Sequence, residues 1–256
     1  MNSVRPKRGF YFSPPNIHDA RRNIASYPWA KQTFARWQRE CDALLRYGDG
    51  ALYDCVLGMK GQVFAYGISG CPACGRPFPM QPVEQRSMFS PFEALPLKKV
   101  TCPHCRIELP NETFADDGQG FEHNGKAYYP IGMWNFFVAG DWLGGVRNHE
   151  GMATKLTYLY MLTGKPAYAR KALVLLDAFS AIWPGTIGPR DFTPFGSDYE
   201  IGRLHLLTSV VHRVKVCLAL DYDWLYDRPE LDRESPARAR LGERMTVREN
   251  NETMLN

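Results

Sequence analysis

Four cysteines constrain this chain more than any other feature. They stand as Cys71-Pro72-Ala73-Cys74-Gly75 and Cys102-Pro103-His104-Cys105-Arg106, two Cys-Pro-x-Cys hooks with 27 residues between them. A two-residue gap lets both sulfurs of one tight turn reach a single ion. Backbone N–H groups of the turn then point at the thiolates. Two such hooks supply four sulfurs, the set with which zinc builds closed, tetrahedral, structural sites. An all-sulfur shell leaves no position for substrate, so the hooks speak to architecture and the chemistry has to lie elsewhere. Gly75 suits a turn residue with φ > 0. Arg106 at the matching place predicts a strained or differently shaped second turn. The spacer carries Pro77, Pro79, Pro82, Ser87, Pro91 and Pro96, which predicts an irregular excursion closed by the metal.

Two other readings of the cysteines fit less well. Disulfides are favoured in short secreted chains, and this chain is neither short nor led by a secretory apolar stretch. A redox Cys-x-x-Cys comes once, at a helix N-terminus. Spacing does not separate zinc from iron. Cys41, Cys55 and Cys217 lie in apolar surroundings and read as ordinary buried thiols.

The 256 residues, 45% hydrophobic, allow one large domain or two small ones with a sizeable core. The formal charge is +4; four thiolates and one divalent ion together subtract two, leaving +2. That is too little to argue for nucleic acid. The basic start, Arg5-Pro6-Lys7-Arg8, is followed by no apolar run, and no stretch is long enough to span a membrane. The expectation is a soluble, cytoplasmic protein, or a periplasmic or secreted one if a leader is missing. Oligomeric state is not readable.

Along the chain, Ser13-Pro14 opens a helix to about Ile24, with serine as cap and proline at the first position. A second runs from Pro28 to about Tyr47, with Trp29, Thr33, Trp37, Cys41, Leu44 and Leu45 on one face; Gly48-Asp49-Gly50 ends it. Residues 55–132 are dense in Gly, Pro and Cys and lack helical periodicity. Short strands are expected there near Gln62–Tyr66, Lys98–Thr101 and Lys126–Tyr129. Helical texture returns at Trp134–Leu143. Asn148 to Thr163 and Pro166 to Trp183 are amphipathic helices joined by Gly164-Lys165, an antiparallel hairpin. A long helix is expected from Ser197 to Tyr226, broken by Asp227-Arg228-Pro229, and Ser235-Pro236 caps a last helix reaching the C-terminus. This divides the chain into N-terminal helices (1–54), a metal-tied insertion (55–132) and helical hairpins (133–256). Stacked helix pairs without chemistry are the plainest reading of the last part.

Several stretches are similar to one known family. Gly9-Phe10-Tyr11-Phe12-Ser13-Pro14, then Tyr27-Pro28-Trp29-Ala30-Lys31, resembles the opening of heparinase II/III-like proteins and related alginate lyases. Tyr158 to Gly164 with Tyr168 to Ala172 looks like their helical hairpin, and Tyr222-Asp223-Trp224-Leu225-Tyr226-Asp227 like the end of a later helix. A paired Cys-Pro-x-Cys insertion ahead of a Phe-rich stretch also resembles many of them. The resemblance covers roughly residues 9–230. It implies a mainly α fold, an incomplete (α/α) toroid of helical hairpins carrying the zinc-bound insertion. It also implies a chain that normally continues into further toroid helices and a β-sandwich, and acidic, uronate-containing polysaccharide as the partner.

Lyases of that kind work by β-elimination. The proton beside the uronate carboxylate is weakly acidic, so the carboxylate must be neutralised and a base positioned. The family uses an Asn-His pair and a tyrosine. Asn148-His149 stands too early for that pair and reads as a helix cap. Asn250-Asn251 stands nearer, but Glu252 follows where histidine is needed. The best local cluster is Tyr199, Glu200, Arg203 and His205: Arg203, paired with Glu200 at i,i+3, would hold a carboxylate, and Tyr199 or His205 would take the proton. The plain alternative is a solvated helix start with an intrahelical ion pair. His104, between two metal ligands, is expected to face solvent. Trp134, Trp142 and Trp183 suit sugar stacking or, more simply, the core.

Overall fold

A computed structural model describes residues 13–61, 71–76, 100–102, 104–128, 151–185 and 217–255. Within them the protein is mainly helical, with two short antiparallel hairpins between its helical parts. The strand expected at 62–66 and the helical texture at 134–143 lie outside the described residues, as does most of the helix expected from Ser197.

Helices α1 (Pro14–Ser26) and α2 (Pro28–Leu45) begin where proline signals them. The Ser13 N–H donates to Asn16 Oδ1 at 2.9 Å, the return half of a capping box. On α2, Cys41 and Leu44 are buried as expected, but Trp29 is 63% exposed. It sits in the first turn, where Ala30 takes the inward position instead. Trp29 stacks at 6.4 Å on Tyr27, which is also exposed.

Helix α3 (Asp49–Leu57) runs straight through the expected boundary at 54/55. Leu52, Tyr53, Cys55 and Val56 are all buried, so Cys55 belongs to the helical core and not to the insertion. A nine-residue helix enclosed on most sides shows little amphipathic period, and Gly48-Asp49-Gly50 proves to be its start.

Helices α4 (Met152–Thr163) and α5 (Pro166–Ile182) form the expected hairpin. Gly164 turns it in the left-handed region, φ 73°, with its N–H donating to Tyr160 O at 2.7 Å. Helix α5 is not amphipathic, however. From Tyr168 to Ile182 only Arg170 escapes burial. It is the central post of the fold, packed by α2, α3, α4 and by three elements further on. These are α6 (Cys217–Leu225), α7 (Pro236–Arg240) and α8 (Val247–Leu255). Each large apolar side chain it buries contributes about 1.5–3 kcal/mol. Trp183, in the 3-10 turn after α5, is core; Trp134 and Trp142 lie outside the described residues.

The single C-terminal helix expected after Ser235 is two. Ser235 does cap α7, its Oγ accepting from Arg238 N at 3.0 Å. The chain then leaves the helix at Gly242 (φ 77°) and restarts at Val247.

Between the helical parts, β1 (Val100–Thr101) pairs with β2 (Glu108–Leu109), and β3 (Phe121–His123) with β4 (Lys126–Tyr128). Asn124-Gly125 turns the second hairpin with two positive φ angles, 51° and 69°. Phe114 packs at 5.8 Å on Phe121, which stacks at 5.5 Å on Tyr128. These rings form a small aromatic core beside the second hairpin.

One buried acid in the helical body titrates abnormally. Asp221 on α6 is fully buried; its Oδ2 accepts from Thr154 Oγ1 at 2.9 Å, and its Oδ1 has no hydrogen-bond partner among the described residues. Burial pushes its pKa well above the ordinary value, against the opposing pull of the Thr154 and Thr157 hydroxyls. A carboxyl whose folded pKa exceeds its unfolded one near 3.9 stabilises fully below that pH. The contribution is lost as pH rises toward the folded pKa. Each unit of elevation is about 1.4 kcal/mol. Asp221→Asn keeps the acceptor for Thr154 and has no charge to desolvate. Its melting temperature is expected to fall less than that of the parent between pH 4 and 8, measured by calorimetry; parallel curves would refute the assignment.

Candidate metal centre

The two hooks fold into near copies of one turn. In the first, Gly75 N donates to Cys71 O at 2.9 Å and Cys71 N to Arg76 O at 2.8 Å. In the second, Arg106 N donates to Cys102 O at 3.0 Å and Cys102 N to Ile107 O at 2.8 Å. Gly75 has φ 70° and Arg106 has φ 65°. The second turn is therefore not differently shaped: arginine adopts the glycine conformation, at a cost of about 1–2 kcal/mol. Strands β1 and β2 flank this second hook and hold it closed.

The turns face each other. All four Sγ atoms lie within 4.8 Å of one another, with Cys71 to Cys105 at 3.6 Å and Cys74 to Cys102 at 3.9 Å. Bonds of about 2.3 Å, the zinc–thiolate length, give a tetrahedron with edges of about 3.8 Å. The six described cysteines are free, including these four. Neither hook opens a helix, as a redox dithiol would. Cys71 and Cys102 are buried while Cys74 and Cys105 are exposed, so the centre is closed on the protein side and lies near the surface.

Charge explains why a cation fits. Burial raises the Cys71 thiol to about 12; N–H groups of Cys74 and Ala73 pull the other way, and the neighbouring Cys105 and Cys102 thiols add to the rise. At Cys102 burial is outweighed by N–H groups of Cys105 and His104, with help from the Cys105 and Cys71 thiols, and the pKa falls to about 6. The His104 N–H lies 3.4 Å from Cys102 Sγ, and the His104 side chain is on the exposed side as expected. Four thiolates together require a positive ion at their centre.

Tyr199, Glu200, Arg203 and His205 lie outside the described residues, as do Asn148, His149, His212 and Arg213. Asn250 and Asn251 are fully buried and act as scaffolding. Asn250 Nδ2 donates to Asp177 Oδ1 at 2.7 Å, and its Oδ1 accepts from Arg238 Nε at 2.6 Å. Asn251 Oδ1 accepts from Ser180 Oγ at 3.0 Å. Cys41 and Cys55 are buried thiols, as expected.

Sequence reasoning missed one recess. A pocket of about 450 Å³ opens where α4 and α6 end, lined by Tyr160, Met161, Gly164, Trp224, Asp227 and Arg228. Its signal in the chain is the Tyr-rich end of α4 and the Trp224-to-Arg228 stretch, which are far apart in sequence.

No protein family, curated protein or solved structure matches the chain. Fold and site together define the class: a mainly helical protein with a four-cysteine cluster able to hold a metal ion. No helix among the described residues is long and apolar enough to cross a membrane.

Proposed function

We propose that Cys71, Cys74, Cys102 and Cys105 hold one structural Zn²⁺. The protein they pin together is an (α/α) toroid that binds acidic, uronate-containing polysaccharide in the manner of heparinase II/III-like lyases. The observation that carries the reading is the conjunction of the four-thiol cluster with the α4–α5 hairpin closed at Thr163-Gly164-Lys165. The resemblance expects these two features together. The ion orders the chain around it and supplies no chemistry to a substrate.

Where elimination occurs, Arg203, paired with Glu200, neutralises the uronate carboxylate. Tyr199 or His205 takes the proton from the carbon beside that carboxylate. The released electron pair forms the C=C bond as the C–O bond to the leaving sugar breaks, and the protonated base returns its proton to the glycosidic oxygen. The burial of Asn250 and Asn251 in packing favours a second reading, a non-catalytic helical domain that binds a glycan or a protein.

One experiment separates them. The chain is mixed with heparan sulfate, alginate or hyaluronan; retardation in an affinity gel reads binding, and ultraviolet absorbance reads unsaturated uronate product. Retardation with rising absorbance supports the lyase, and retardation without it the binding domain. No retardation by any of the three overturns the glycan reading.

A further inference from the structure

From the pocket at the ends of α4 and α6, we infer a binding site for an uncharged sugar ring. At about 450 Å³ it falls within the range of small-molecule sites, about 300–1,000 Å³. Its walls are rigid. Trp224 packs at 5.3 Å on Tyr158, which stacks at 5.2 Å on Trp37, so three aromatic rings from three helices fix one side. On the other side Arg228 lies over the Tyr160 ring at 5.3 Å and donates to its hydroxyl at 3.3 Å. At the mouth is Gly164, where an added Cβ would meet nothing within 4 Å.

The charges decide the ligand class. Arg228 is gripped by both oxygens of Glu230, at 2.6 and 3.1 Å. Arg21 reaches from α1 to cap α4, donating to Met161 O and Leu162 O at 2.9 Å each. Among the described lining residues the charges are one guanidinium, Arg228, and one carboxylate, Asp227. An isolated carboxylate or ammonium on a ligand gains no net field here and loses its hydration. A neutral ring with apolar C–H faces and several hydroxyls loses less. Its faces meet Tyr160, Met161 and the Trp224 edge, and its hydroxyls meet Asp227, Arg228 and the Tyr160 oxygen. The site differs in kind from a uronate subsite and stands whether or not the protein handles acidic glycans.

The test is saturation-transfer NMR of the full chain with methyl glucoside, glucosamine and glucuronate, followed by titration. The neutral sugar is expected to bind in the millimolar range and both charged ones at least about tenfold more weakly. Met161→Trp fills the recess from a helical position and is expected to weaken methyl glucoside at least about tenfold while heparan sulfate retardation is unchanged. Tyr160→Phe removes a single hydroxyl and is expected to weaken it about threefold or more, which keeps the test valid if the bulkier variant does not fold. Equal or tighter binding of a charged sugar overturns the inference. So does no binding of methyl glucoside, or unchanged affinity in a folded Met161→Trp or in Tyr160→Phe.

Discussion

Asp177→Ala is expected to lower unfolding stability by about 3–5 kcal/mol. Asp177 is fully buried near the middle of α5. Its Oδ1 accepts from Ser235 Oγ at 2.6 Å and from Asn250 Nδ2 at 2.7 Å. Its Oδ2 accepts the Ala237 N–H at 3.1 Å, in the first turn of α7, and its proximity helps burial to raise the Tyr53 hydroxyl's pKa on α3. One side chain thus joins α5, α7 and α8 by hydrogen bonds. Arg238 answers its charge through Asn250, donating to that side chain at 2.6 Å and to Glu243 at 2.7 Å. Alanine would remove the acceptor of the Ser235 hydroxyl, of the Ala237 N–H and of one Asn250 N–H, and each buried donor left unmet costs about 1–3 kcal/mol. Urea unfolding should show the loss, and hydrogen exchange should localise it to residues 235–255. A midpoint unchanged within error would mean that apolar packing alone holds α7 and α8 on α5.

Cys74→Ser is expected to empty the metal centre and to loosen residues 71–76 and 100–128. Structural zinc sites in small domains supply about 10–16 kcal/mol of binding energy that doubles as folding energy. The local stakes are therefore larger than at Asp177, but they fall on a different part of the chain. Among the described residues the insertion's own apolar support is two short hairpins and the cluster of Phe114, Phe121 and Tyr128. The α4–α5 hairpin packs on α2, α3 and α6 and contributes no residue to the cysteine cluster. Exchange protection should collapse at the Cys71 and Cys102 amides, which bond to Arg76 O and Ile107 O, and persist in α5. Protection retained at both amides in a metal-free variant would show that the turns close without the ion.

The hooks, the helix starts at Pro14, Pro28 and Pro166, and the Gly164 turn were readable because each is decided locally. A proline at N1, a glycine at C′ and two cysteines three apart impose their conformation wherever they stand. Asn124-Gly125 carried an equally local hairpin signal that the alternation around it was too short to reinforce. Helix α3 and the all-round burial of α5 were not readable. Both depend on how many neighbours a helix acquires, and periodicity reports only the faces left to solvent. Asp177 was hidden for the same reason. A lone acid in Leu173-Val174-Leu175-Leu176-Asp177-Ala178-Phe179 acquires meaning only once Ser235 and Asn250 fold against it. Arg106 departed from the glycine pattern yet kept the glycine backbone, because strand pairing and the hook's hydrogen bonds outweigh the strain.

The most direct test is metal analysis of the purified protein combined with X-ray absorption at the metal edge. A structural four-thiolate centre predicts one zinc per chain, with about four sulfur neighbours near 2.3 Å and no lighter ligand. Metal-free protein with Cys71, Cys74, Cys102 and Cys105 paired in disulfides, or zinc bound through oxygen or nitrogen, would contradict it.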